Sequence, residues 1–196
     1  GLLYGGAANQ LGISNGQYLH QKGFMGQNMH IAVFDGGFYR MDQIPAFDSL
    51  FNNNRILGTR DFVNGNHNAL YLGNYHGMAV MSVLAANIPG LIVGSAPHAS
   101  YWLLLTEDTG SEYPVEEENW IAAAEFADSA GADLFTVSLG YSLFDNADLN
   151  HTYSQMDGKT TRITRGAGVA FSKGIIIVNS AGNEANNQWY HITAPS

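Results

Sequence analysis

Cysteine is absent from the 196 residues. That excludes disulfides, thiolate metal sites and thiol nucleophiles, although it leaves the compartment open. Cationic residues are scarce. Eight Lys and Arg stand against 17 Asp and Glu, a formal charge of −9, so no basic face for nucleic acid or an anionic membrane is expected. No apolar run approaches the ~20 residues that a membrane-spanning helix needs. The starting residues Gly1-Leu2-Leu3-Tyr4-Gly5-Gly6 lack the basic and long apolar regions of a signal peptide. The expectation is either a cytosolic chain or one from which such a segment has been removed.

What is present points to a packed α/β protein. Apolar residues make up 45% and charged residues 13%, which is incompatible with wholesale disorder. The 23 glycines suit a turn-rich sheet protein better than a helix bundle. There is no internal repeat and no low-complexity linker, so residues 1–196 are read as one domain, with an N-terminal extension over 1–28 and a motif-bearing core over 29–196. Short apolar runs closed by glycine, such as His30–Phe34 before Asp35-Gly36-Gly37, read as buried parallel strands. Ser100–Leu105, Leu134–Leu139 and the β-branched Ile175–Val178 are further strands, and Arg55–Val63 is a weaker one. Helices are expected around Asn15–Gln21, from His76 to the Asn87-Ile88-Pro89-Gly90 turn, from Pro114 to Gly131, and near Arg162–Ser172. Residues 141–158 read as loop. The three acids Glu116, Glu117 and Glu118 complement the helix dipole and are expected to be a solvated helix start. Tyr101, Trp102, Trp120 and Phe126 are expected in the core.

Alternating strands and helices imply an α/β class with a mainly parallel sheet flanked by helices. Such sheets carry their sites beyond the carboxyl ends of the strands. Asp35, the Ser138-Leu139-Gly140 corner and Asn183 all stand at strand ends, and His76 at a helix start, so the four are expected to face one crevice. A carboxylate can orient an imidazole and fix its tautomer, and an Asn amide can donate to a developing oxyanion. Each residue also has an ordinary use: a strand-ending turn for Asp35, a cap for His76, a tight turn for Asn183. No His-x-x-x-His or His-Glu-x-x-His occurs, which disfavours a metalloprotease. A dehalogenase-like phosphatase would need a second aspartate where Gly37 stands, and no Gly-x-Gly-x-x-Gly follows the first strand.

Taken in order, the motifs resemble those of the subtilisin-like serine proteases. Ile31-Ala32-Val33-Phe34-Asp35-Gly36-Gly37 is similar to the aspartate motif of that family, and His76-Gly77-Met78-Ala79-Val80 to its histidine motif. Gly94-Ser95-Ala96-Pro97-His98-Ala99 is similar to the segment that follows, Val137-Ser138-Leu139-Gly140 to its substrate-binding strand, and Ala181-Gly182-Asn183-Glu184 to its oxyanion-hole turn. The resemblance implies a subtilisin-like fold and acyl transfer to a serine, with Asp35 and His76 as triad members and Asn183 as oxyanion donor. It also implies that Ser138, Leu139 and Gly140 pair with an extended polypeptide substrate, that Ala181 and Gly182 line the adjoining pocket, and that the protein is secreted.

The resemblance lacks its nucleophile. The family motif Gly-Thr-Ser-x-Ala-x-Pro is missing, and Ser196 lies 13 residues after Asn183. The expectation is a partial catalytic domain, truncated before the nucleophile-bearing helix and inactive unless complemented. Three explanations are weighed in order: a nicked protease whose C-terminal part is a second chain, a truncated fragment, or a naturally short relative that only binds. A stable oligomer is another way to cover the sheet. Gly36 replaces the usual Ser or Thr beside the aspartate, which implies a different hydrogen-bond network around Asp35. No cofactor is required for the chemistry. Many relatives bind structural calcium in the loop after the histidine helix, but Asn87-Ile88-Pro89-Gly90 offers one side-chain oxygen where Ca²⁺ takes six to eight, so no metal site is expected there. Glu107–Glu112 and Asp145–Asn150 could host an ion such as structural calcium, but acidic solvated loops are the preferred reading.

Overall fold

The computed structural model describes residues 3–196; the first two residues of the glycine-rich start lie outside them. Two short helices, α1 (Ala8–Ile13) and α2 (Gly16–Gln21), precede β1 (His30–Asp35). Next come α3 (Asp48–Asn52), β2 (Ile56–Asp61) and α4 (His76–Ala85). A small antiparallel hairpin of β3 (Asn87–Ile88) and β4 (Ile92–Val93) follows. The chain continues through β5 (Ser100–Leu105), α5 (Val115–Ser129), β6 (Leu134–Val137), α6 (Arg162–Ser172) and β7 (Ile176–Asn179).

β1 lies at the centre of a parallel five-stranded sheet of order β2-β5-β1-β6-β7. Both faces of its central strands are covered, which is why their sequences are nearly continuous apolar runs. Successive side chains point to opposite faces. Ile31 and Val33 of β1 therefore join Tyr101, Leu103 and Leu105 of β5 beneath Met81 and Ala85 of α4. Ala32 and Phe34, with Leu104, Phe135 and Val137, meet Trp120, Ala123 and Ala127 of α5 and Ile163 and Ala170 of α6. Phe34 sits 5.3 Å from the Trp120 ring and 5.0 Å from the Phe135 ring. The result is a three-layer sandwich with a separate core on each side of the sheet.

Coverage is uneven at the β7 edge. Leu134 and Thr136 of β6 stand in register with Ile176 and Val178 of β7. Leu134 packs on the α4 side, so Ile176 and Val178 point the same way. They remain 55% and 53% exposed, because α4 does not reach this far across the sheet.

Three sequence expectations need correction. β6 ends at Val137, not Leu139, because the Leu139 carbonyl accepts from the Asn179 side-chain amide and the Ser180 hydroxyl, both at 3.1 Å. That contact turns the chain out of the ladder. The acids opening α5 are not a solvated start: Glu116 is 1% and Glu117 4% exposed. Glu116 folds back onto the amides of Asp108 and Tyr113 at 2.9 and 3.2 Å, and Glu117 pairs with His151 Nε2 at 2.7 Å. Finally, α1 forms in a Gly- and Asn-rich stretch where no helix was expected.

Candidate active site

β1 carries its apolar run to the carboxyl end of the sheet and stops in Asp35, whose side chain is completely buried. Asp35 Oδ1 accepts the Gly36 amide at 2.8 Å. α4 starts at His76, and its first turn is fixed by Asn74, whose Oδ1 accepts the His76 amide at 2.8 Å. His76 Nδ1 then lies 2.8 Å from Asp35 Oδ1 and 3.0 Å from Oδ2. An ionised carboxylate only accepts, so the contact assigns the ring proton to Nδ1 and leaves Nε2 as the free basic nitrogen. The His76 side chain is 53% exposed, which gives that nitrogen access to a bound molecule.

The glycine after the histidine has a steric cause. A Cβ at Gly77 would stand 2.6 Å from the Gly37 carbonyl oxygen, 2.7 Å from Phe38 Cε1 and 2.9 Å from Asp35 Cβ. Only a bare backbone lets α4 approach β1 closely enough for the imidazole to reach the aspartate. At Gly36, a Cβ would stand 2.8 Å from Thr109 Cγ2. The Thr109 methyl thus occupies the space into which a Ser or Thr at 36 would project.

Asp35 and His76 face a cavity of about 250 Å³ that they share with Asn74, Glu107 and Thr109 on one wall and the Ser138-Leu139-Gly140 corner on the other. Ala181 and Gly182 line a different hollow, with Glu184, Tyr190 and His191. Asn183 is exposed in the turn after β7 and lines neither. Thr193 joins the two regions. Its amide donates to the Ala181 carbonyl at 3.2 Å, and its side chain wedges between Gly140 and Gly182. A Cβ on Gly140 would stand 2.0 Å, and one on Gly182 2.9 Å, from Thr193 Oγ1.

Burial is the largest influence on the Asp35 carboxyl and raises its pKa, while the bond from His76 and the Gly36 and Gly37 amides pull it back. Glu107 is pushed up to about 7, first by burial and then by the negative charges of Glu116 and Asp35. The Tyr141 hydroxyl and His76 oppose that rise. Sequence reasoning placed Glu107 in a solvated loop and did not single out Asn74, Thr109 or Thr193. The strand-end rule that selected Asp35 also reaches Glu107, two residues beyond β5.

A family model described as the subtilase family matches residues 26–196. Subtilisin E of Bacillus subtilis strain 168 is 30% identical over 175 residues, covering 86% of this chain and 38% of its own length. Subtilisin of Bacillus pumilus is 28% identical over 174 residues, covering 86% of this chain and 52% of its own. The chain thus spans about two-fifths to one-half of these curated relatives. Among solved structures, MycP1 with its N-terminal propeptide removed superposes with a TM-score of 0.65 at 18% identity, over 92% of this chain and 50% of that one. The CspB protease of Clostridium perfringens gives 0.60 at 16%, over 87% and 39%. These two likenesses concern the fold. The match of the family model to nearly the whole chain shows that this chain belongs to the subtilase family of subtilisin-like serine proteases.

Proposed function

We propose that this chain supplies the acid–base pair, the oxyanion donor and part of the substrate cleft of a serine endopeptidase, and that the attacking serine belongs to polypeptide outside residues 1–196. The observation that carries the reading is the contact of both Asp35 carboxylate oxygens with His76 Nδ1. In this reading Asp35 holds the imidazole in the tautomer that leaves Nε2 basic. Nε2 takes the serine hydroxyl proton as the oxygen attacks the scissile carbonyl, and later gives that proton to the departing amine. The Asn183 amide donates to the oxyanion, for which its place in an exposed turn leaves it free. The backbone at Ser138–Gly140 pairs with the extended substrate as an added strand. Ala181 and Gly182 border the adjoining hollow.

Two facts support a nucleophile outside the chain: the short span relative to the curated relatives and the bare apolar face of β7. The chemistry needs no metal. The loop after α4 does not suit calcium, since it is closed as a hairpin whose Ile88 and Leu91 carbonyls accept the amides of Leu91 and Gly6 and Asn87 offers its only side-chain oxygen. No helix among the described residues is long and apolar enough to cross a membrane. Secretion is proposed from family membership.

Intact-mass measurement of the whole protein with a fluorophosphonate probe tests the reading. The expected result is an adduct on polypeptide outside residues 1–196 that is lost in His76→Ala. No adduct, or one within residues 1–196, overturns it.

A further inference from the structure

We propose that Glu107 makes the cleft a receptor for a basic peptide side chain, Lys or Arg, close to the scissile bond. The inference rests on the protease reading above and names its substrate class.

Glu107 reaches the cleft through the backbone. Beyond the end of β5, the Thr106 amide donates to the Asp35 carbonyl at 3.1 Å, which holds the two chains together one residue past the ladder. The next residue is Glu107, which lines the cavity that contains Asp35 and His76. Tyr141, almost wholly buried just after the Ser138–Gly140 corner, donates its hydroxyl to Glu107 Oε2 at a long 3.5 Å. That is the carboxyl group's single hydrogen bond among the described residues, and no Lys or Arg there lies within ion-pair distance of it.

Four nearby acids are occupied by the fold, and Glu107 is not. Glu116 caps two backbone amides, Glu117 pairs with His151, and Asp145 accepts the Glu112 amide at 3.2 Å. Asp108 accepts from Gly110 and Ser111. Four of the eight cations are engaged elsewhere as well: Arg162 with Glu118, Lys173 with Asp128, Arg55 with the Pro97 carbonyl, and Arg60 over the Phe62 and Phe126 rings. A half-buried carboxyl group beside the buried Asp35 is costly without a partner. A cation from outside, small enough for a cavity of about 250 Å³, would supply that partner to the ionised form. Among the described residues no three His, Asp or Glu side chains group as metal ligands. The cavity opens beside the backbone at Ser138–Gly140, so the cation expected there is a peptide side chain, held by a charge-assisted hydrogen bond.

The groups that bear on Glu107 are Glu116, Asp35 and Glu112, which repel its charge, and His76 and Tyr141, which favour it. Because burial and these acids push it up to about 7, selection for a cation strengthens as pH rises from 6 to 8. His76 serves every substrate alike, so its contribution cancels in a ratio of two peptides.

The test is kcat/KM for matched peptides carrying Lys or norleucine at each position in turn, measured on the whole protein with sites titrated by a fluorophosphonate. Wild type is expected to prefer Lys by about tenfold or more at one position at pH 8, the scale of one charged hydrogen bond. Glu107→Gln brings that ratio to within about threefold of unity, and Glu107→Lys reverses it in favour of Glu over Gln. The ratio is internal to each variant, so a partly folded variant still reports. A wild-type ratio near unity at every position, or one unchanged in Glu107→Gln, overturns the assignment. A protein that cleaves no peptide and takes no probe overturns the protease reading instead.

Discussion

Glu112 gives a quantitative test of the electrostatics beside the cleft. It precedes α5 and faces Glu116, Glu107, Asp145 and Glu184, and burial together with these charges pushes it up from 4.5 to about 8. A carboxyl group whose folded pKa is raised binds more protons in the folded state than in the unfolded one. Stability is then lost as pH rises from the unfolded pKa toward the folded one. For an isolated group a shift of this size would cost roughly 5 kcal/mol above pH 8. Glu112 is only half-buried and shares protons with its neighbours, so solvent screening and coupling reduce the figure to about 1–2 kcal/mol. Glu112→Gln removes the charge and forfeits no side-chain hydrogen bond, since the contacts of this residue with Asp145 run through its backbone. The expected outcome is urea denaturation curves that coincide with wild type at about pH 3.5, below the unfolded pKa, and diverge as pH rises, the variant being more stable by about 1–2 kcal/mol at pH 8. Other titrating groups are common to both proteins and drop out of the difference. Parallel stability–pH profiles from about pH 3.5 to 8 would refute the reasoning.

Gly77→Ala puts a methyl against the Gly37 carbonyl and Asp35 Cβ. A loss of about 1–3 kcal/mol is expected, with weakening of the downfield proton resonance of His76 Nδ1; an unchanged resonance would mean that α4 tolerates the bulk. His151→Ala leaves Glu117, 4% exposed, without its partner. About 3 kcal/mol should be lost at pH 7 by thermal or chemical denaturation, whereas His151→Ala combined with Glu117→Gln should recover part of it. Asn183→Ala should lower kcat of the whole protease by about 10²–10³ with KM little changed, the loss measured for a subtilisin's own oxyanion-hole donor. A loss confined to KM would assign Asn183 to substrate binding.

The parts of the molecule legible in the sequence are those set by local pattern. Ile31–Phe34 closed by Asp35-Gly36-Gly37 specifies a strand that ends in a carboxylate. His76 ahead of Met78, Met81 and Ala85 specifies a helix with an imidazole at its start. Parallel topology then brings the two ends together without further information. What was not legible depends on distant chain. Three consecutive acids read as a wet helix start, yet Glu116 is buried because residues 108–113 fold back to present two amides. Glu117 is buried because His151, 34 positions away, comes to meet it. The end of β6 was misjudged for the same reason, since the Leu139 carbonyl is claimed by Asn179 and Ser180 from another strand end. Thr193, which fits only because residues 140 and 182 are both glycine, could not be recognised before those two turns were known to be neighbours.

The sheet itself argues for how the two halves of the site are related. Asp35 and His76 are positioned by β1, α4 and the turns at Gly36 and Asn74 that adjoin them, over the well-covered centre of the sheet. The proposed oxyanion donor lies beyond β7, at the edge where Ile176 and Val178 are about half exposed. Covering those two side chains would contribute about 2 kcal/mol each, which is comparable to the differences that separate ordered from mobile elements. The acid–base pair is therefore built to stand on its own packing. The turn at Ala181–Asn183 is tied to the sheet mainly through Thr193 and the contacts of Asn179 and Ser180, and in the proposed enzyme a cover over the β7 face would hold it further. In the proposed enzyme, that makes covering β7 and delivering the serine the same structural event: the polypeptide that brings the nucleophile also fixes the oxyanion donor opposite it.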